Sequence, residues 1–239
     1  MNAQPQAIIF DLYETLVTEF DPHWIPGPSI GRRLDVSDQS FAQGWSRIYD
    51  RRMSGAIPDF PSALREIVQS CGQQPDEAII QQLHEERLQE KTKPFIQVAD
   101  NIIEMLQVLR TKSVKIGLLS NAACEEVAAW QHCRLASFFD EVVFSYQVGL
   151  IKPDQRIYHL TCERLGVSPT ETIFIGDGGS RELTGAREAG LRPYCATWYL
   201  NRWPEWKMSA QERDRAAHFP RLEDPGEVIN LTVQKLCKV

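Results

Sequence analysis

Short apolar runs recur along this chain, each followed by a helical pattern, and this alternation constrains the fold more than any other feature. The runs are Ala7 to Phe10 (AIIF), Val114 to Leu119 (VKIGLL), Glu141 to Phe144 (EVVF), Thr172 to Ile175 (TIFI) and a weaker one, Tyr194 to Thr197 (YCAT). The first, second and fourth lack clean apolar–polar alternation, as strands buried on both faces of a parallel sheet do. Helical patterns cover about 100–111, 123–131, 154–165 and 180–189, and Gly166 and Gly190 stand where helix stops are expected. The order predicts an α/β fold built on a doubly wound parallel sheet.

One connection is too long for such a sheet. About a hundred residues separate the first run from the second, far more than a simple crossover needs. They hold three more helical patterns, about 37–53, 60–72 and 75–91. We read a helical subdomain over residues 20–93, inserted into a sheet domain made of 1–19 and 94–239. Pro22, Pro26 and Pro28 mark its entry and Pro94 its exit. An insert at this point hangs over the carboxyl edge of the sheet, where open α/β folds bind ligands.

Composition narrows the function classes. At 239 residues, 43% hydrophobic and 24% charged, the chain has globular usage, which excludes disordered and fibrous architectures. A net charge of −6 argues against a nucleic-acid partner, which calls for a basic footprint. The opening MNAQPQAIIFDL reads as a buried strand rather than a leader, and no run reaches a membrane-spanning length. Six cysteines without a C-x-x-C pair fit reduced thiols and a cytoplasmic setting. The partners expected are a small anionic substrate and, at most, a second copy in a homodimer, with neither nucleic acid nor membrane.

Polar residues follow the apolar runs in order. Asp11 ends the first, Ser120 and Asn121 end the second, Lys152 follows the third in GLIKPD, and Asp177 ends the fourth in IFIGDGGSRE. Each has an ordinary explanation when taken singly: an Asp caps helices, Ser-Asn makes turns, Lys-Pro lies on surfaces. Together they bring a carboxylate, a hydroxyl, a cation and a second carboxylate to one edge of one sheet.

These residues, in this order, resemble the haloacid dehalogenase superfamily of hydrolases (HAD). The likeness covers residues 7–16 and about 95–196, and the helical insert fits the position of that family's cap domain. The resemblance implies that Asp11 is a nucleophile forming a covalent aspartyl intermediate that water then hydrolyses. Ser120 and Asn121 would then bind a substrate oxygen, and Lys152 would neutralise nucleophile and substrate. Backbone N–H groups after Asp11 and Asn121 would cradle the same group, and Thr15 would orient the nucleophile loop. Mg²⁺ is the implied cofactor, with Asp11, the Tyr13 carbonyl, Asp177 and Glu182 as its ligands.

One position departs from the phosphatase pattern. Where phosphatases of the family carry a second Asp as acid and base, this chain has Tyr13. D-x-Y-x-T resembles the 2-haloacid dehalogenase branch, which also has a Tyr where Tyr158 stands, six residues after Lys152. Gly176-Asp177 with Glu182 pulls towards the phosphatases. The leading reading is thus a Mg²⁺-dependent hydrolase of a small phosphorylated metabolite. Metal-independent 2-haloacid dehalogenation on Asp11 is the alternative, and a weakly active binding or regulatory protein of the same fold is a third. Tyr13 is either a proton donor or a packing residue, and Tyr158 is a candidate substrate contact. Arg47 and Arg51, four apart on one expected helix, form either an anion clamp brought down by the insert or a solvated face. Trp24, Trp45, Trp198, Trp203 and Trp206 either line the cleft or pack in the core.

Overall fold

The computed structural model describes residues 4–23, 27–203 and 217–233. Among these, six strands form one parallel sheet in the order β3-β2-β1-β4-β5-β6. They are β1 (Ala7–Phe10), β2 (Lys115–Ser120), β3 (Glu141–Phe144), β4 (Thr172–Gly176), β5 (Arg192–Ala196) and the short β6 (Arg221–Leu222). The α/β expectation therefore holds, and β6 lies beyond the runs that the sequence singles out. The strand order reverses at β1, which pairs with β2 on one side and β4 on the other. That is the switch point at which such sheets open a crevice, and Asp11 stands at its lip.

β1, β4 and most of β2 are buried on both faces, which is why they lack alternation. One core layer gathers Ile8, Phe10, Ile102, Leu106 and Trp130; the opposite layer gathers Ile9, Leu119, Tyr158, Leu165 and Phe174. After β3 come a one-turn helix α7 (Ser145–Val148) and then α8 (Gln155–Leu165), capped by the Asp154 side chain and ended by Gly166 in the left-handed region.

Between β1 and β2 stand five helices: α1 (Ile30–Arg33), α2 (Asp38–Arg47), α3 (Tyr49–Met53), α4 (Phe60–Ser70) and α5 (Glu77–Ile96). Helix α6 (Asp100–Arg110) then leads back to the sheet. Ser37, Asp59 and Asp76 cap α2, α4 and α5 with their side-chain oxygens. The insert has an apolar cluster of its own, built on Leu34, Val36, Phe60, Leu64, Val68, Ile80 and Leu83. Pro94 does not end α5, which runs on to Ile96.

Three expected helices are corrected. The 37–53 pattern breaks at Ile48, whose backbone (φ −93°, ψ 0°) separates α2 from α3. The 123–131 pattern is two 3₁₀ turns, Cys124–Glu126 and Trp130–His132, because long-range contacts override local propensity. Glu126 folds back onto the Ala123 N–H, and Trp130 is buried against Phe95, Phe139 and Phe144. The 180–189 pattern starts late, as α9 (Glu182–Glu188), because Ser180 and Arg181 are left-handed.

Candidate active site

Asp11 leaves β1 with its N–H bonded to the Ile175 carbonyl of β4 at 2.8 Å, so β1 and β4 hold it beside Asp177. Ser120 ends β2 on the other flank and is buried. Lys152 comes from the loop after α7, and its peptide with Pro153 is cis. Its ammonium donates to Asp11 Oδ1 at 2.5 Å and also to Glu182. Burial works against the charge of Lys152, but Asp11 and Glu182 outweigh it and hold the ammonium well above its ordinary pKa.

Asp11, Asp177 and Glu182 each offer a carboxylate oxygen within 4.8 Å of the others. Three acids so close repel one another, and one lysine offsets only part of their charge. Burial, then Asp11, raises Asp177 to about 6. The same two causes push Glu182 well above the ordinary carboxylate range. The donor set is all carboxylate oxygen, which suits Mg²⁺.

The loop between Asp177 and α9 is strained. Ser180 (φ 51°) and Arg181 (φ 55°) both occupy the left-handed region, at a cost of about 1–3 kcal/mol each. The strain turns Glu182 back over the strand end, where its carboxylate accepts the Gly178 N–H at 3.0 Å. Gly176 makes room for it, since a Cβ there would lie 2.1 Å from Glu182 Oε1. A Cβ on Gly185 would lie 2.5 Å from the Pro153 carbonyl, so α9 packs directly on the loop that presents Lys152.

The other sequence candidates divide. Thr15 is fully buried, with its hydroxyl 3.4 Å from Asp11 Oδ2, at the limit of a hydrogen bond. Asn121 turns to Lys152, donating to its carbonyl at 3.0 Å and accepting its N–H at 2.8 Å. It fixes the lysine loop, and its side-chain amide is spent there rather than on a substrate. Tyr158 is likewise corrected as a substrate contact. It is fully buried beneath α9, packs on Phe174, and donates to the Glu182 carbonyl at 2.8 Å.

Tyr13 donates its hydroxyl to the Glu126 carbonyl, and burial, then Glu19 and Glu126, pushes the phenol far above its ordinary pKa. A phenol so held is no proton donor, so packing is the reading that the geometry favours. Arg47 and Arg51 do not form a clamp. The break at Ile48 separates them; Arg47 donates to Ser70 at 2.9 Å and Arg51 to Glu66 at 2.6 Å, on the solvent side. Trp45 packs within the insert, and Trp198 is buried with its indole N–H on the Thr15 carbonyl at 2.9 Å. Trp203 reaches Glu14 at 2.9 Å; Trp24 and Trp206 lie outside the described residues.

Sequence reasoning missed the residues that seat the insert on this site. Arg52 is 3% exposed and donates to Glu125 at 2.6 Å, while its guanidinium lies 4.0 Å from the Trp45 ring centre. Arg87 donates to Glu126 at 2.7 Å, and Lys91 pairs with Glu19. Ser145 donates to the Met53 carbonyl at 2.6 Å, and the Tyr49 hydroxyl lies 3.1 Å from that of Ser180 on the acid loop. Arg52 sits in a DRRM run that looks like exposed charge, so only its depth distinguishes it.

The family model for haloacid dehalogenase-like hydrolases matches residues 5–190. The chain belongs to this family. It is 27% identical to an (S)-2-haloacid dehalogenase of Pseudomonas sp. (strain YL) over 224 residues, 86% of this chain and 90% of that one. It is also 27% identical to a glyceraldehyde 3-phosphate phosphatase of Methanopyrus kandleri over 147 residues, 60% of each. Among solved structures, a dehalogenase covers 95% of the chain at a TM-score of 0.57 and 19% identity. A HAD family enzyme of Bacteroides thetaiotaomicron, in complex with magnesium and inorganic phosphate, covers 80% at 0.53 and 18% identity. The protein is a HAD hydrolase with relatives on both sides of the phosphatase–dehalogenase divide, and among its described residues no helix is long and apolar enough to cross a membrane.

Proposed function

We propose that this hydrolase transfers a phosphoryl group from a small metabolite to Asp11 and then to water, with Asp11, Asp177 and Glu182 holding Mg²⁺ and residues 20–93 serving as a cap. The observation that carries this reading is the acid cluster: three carboxylates within 4.8 Å, faced by one lysine. A carboxylate at Asp177 serves a metal and has no evident use in attack on carbon. When bound, Mg²⁺ would offset carboxylate charge and polarise a phosphoryl oxygen.

The chain's own residues account for the rest. An Asp11 carboxylate oxygen attacks phosphorus, and the leaving oxygen departs on the opposite side. Lys152 holds that carboxylate in place and offsets the charge of the incoming anion. The Ser120 hydroxyl, at the end of β2, would donate to a phosphoryl oxygen. Water then attacks the aspartyl phosphate and frees the carboxylate. With Tyr13 committed to the Glu126 carbonyl, the position at which phosphatases of the family carry their second Asp gives the leaving group no proton. General acid help is typically worth about 10²–10⁴-fold, so the reading favours substrates with a good leaving group, such as acyl phosphates, over sugar phosphates.

Metal-independent 2-haloacid dehalogenation is the second reading. It is favoured by Tyr13 and by the dehalogenase relative, whose length this chain nearly spans. The first test is Asp11→Asn. Turnover of any true substrate should fall below detection while the circular dichroism spectrum stays native. Retained turnover would refute covalent catalysis on Asp11 in either chemistry.

A further inference from the structure

Three cations of the insert meet three acids of the sheet domain and its first linker: Arg52, Arg87 and Lys91 against Glu19, Glu125 and Glu126. All but Glu19 are largely buried, with side-chain exposures of 1–17%. Buried pairs of this kind add little net stability, because desolvation offsets attraction, but they fix one geometry.

Glu126 is the node. Its carboxylate accepts from Arg87 at 2.7 Å, lies 3.6 Å from Arg52 and 3.9 Å from Lys91, and takes the Ala123 N–H at 3.0 Å. Its backbone carbonyl accepts the Tyr13 hydroxyl, and Lys91 Nζ stands 5.0 Å from the centre of the Tyr13 ring. Tyr13 is two residues from Asp11. The turn that carries Glu126 begins just after Asn121, which grips both backbone polar groups of Lys152. One residue therefore touches the insert, the nucleophile loop, and the loop that fixes the catalytic lysine.

We propose that Glu126 is a positioning residue that makes seating of the helical insert a condition for holding the nucleophile loop. It passes the cationic face of α5 to Tyr13 and hence to Asp11. The proposal rests on the hydrolase reading above only for its kinetic consequence, a rise in KM together with a fall in kcat when the node is broken.

Hydrogen exchange followed by mass spectrometry on the full chain tests it. The Leu16 and Val17 amides, both bonded to the Leu12 carbonyl, report the nucleophile loop. In Arg87→Met/Lys91→Met their exchange should rise about tenfold, within the usual 5–150-fold range of coupled sites, while β1 and β4 keep wild-type protection. Coupling is reciprocal, so Tyr13→Phe should speed exchange in the last turns of α5. Lys91→Arg should restore wild-type behaviour at that position. Should the double variant not fold, Glu126→Gln carries the same test, because it keeps the shape and the bond to Ala123 while removing the charge. Loosening of α5 with an unchanged nucleophile loop, or Glu126→Gln that exchanges like wild type, would overturn the proposal. Acetyl phosphate turnover is read separately. Absence of phosphate release from acetyl phosphate and from a set of phosphomonoesters in the wild-type protein refutes the phosphatase reading and leaves the exchange result standing.

Discussion

Replacing Asp177 with Asn should stabilise the metal-free protein, and the size of the gain follows from the acid cluster. Burial and the neighbouring Asp11 raise Asp177 from 3.8 to about 6 in the folded chain. A raised acid makes the folded state bind more protons than the unfolded one, so stability falls as pH rises between these two values. At about 1.36 kcal/mol per pH unit, ionising Asp177 costs the fold about 3 kcal/mol by neutral pH. Asn carries no charge and can still accept the Gly179 N–H, which Asp177 Oδ1 takes at 2.9 Å. The two proteins should therefore have similar urea midpoints near pH 4. Above pH 6.5, in chelator, Asp177→Asn should be the more stable by up to about 3 kcal/mol. Mg²⁺ should shrink or reverse that gap, because it stabilises the wild-type carboxylate by mass action. A variant less stable than wild type at pH 7 in chelator would refute the claim that these acids repel one another without a cation.

Arg47→Ala should change KM less than twofold on any substrate the protein turns over, since that guanidinium is spent on Ser70; steady-state kinetics decide this, and a tenfold rise would reinstate the clamp. Gly185→Ala should lower kcat and the melting temperature together, because its Cβ would meet the Pro153 carbonyl at 2.5 Å and shift the lysine loop. Tyr158→Phe should destabilise by about 0.5–1.5 kcal/mol in denaturant unfolding, the typical net worth of the hydrogen bond it gives the Glu182 carbonyl, with KM unchanged.

The sheet was legible because strands buried on both faces leave an unmistakable apolar signature, and because polar residues at their ends mark one edge. Glu182 came only from the family resemblance, whereas Asp11, Ser120, Lys152 and Asp177 could be read from their places at strand ends. The roles of Asn121 and Tyr158 could not. Both are polar residues whose partners are backbone groups 24 to 31 residues away, and sequence spacing does not report such contacts. The arginines mislead for the opposite reason. Arg47, Arg51 and Arg52 look alike along the chain, yet the break at Ile48 sends the first two to solvent and the third inward. The turn at 124–126 reads as helix because its residues favour helix locally. It is fixed instead by Glu126 and by cations some forty residues earlier.

The central claim is phosphoryl transfer on Asp11 with a metal held by the acid cluster, and one panel tests it most directly. Acetyl phosphate, a set of phosphomonoesters and 2-chloropropionate would be incubated with the protein in Mg²⁺ and, separately, in chelator, with release of phosphate and of chloride measured. The account predicts phosphate release in Mg²⁺, highest for acetyl phosphate, lost in chelator and absent in Asp11→Asn, with no chloride released. Chloride release from 2-chloropropionate in chelator, without phosphate release under either condition, would contradict it.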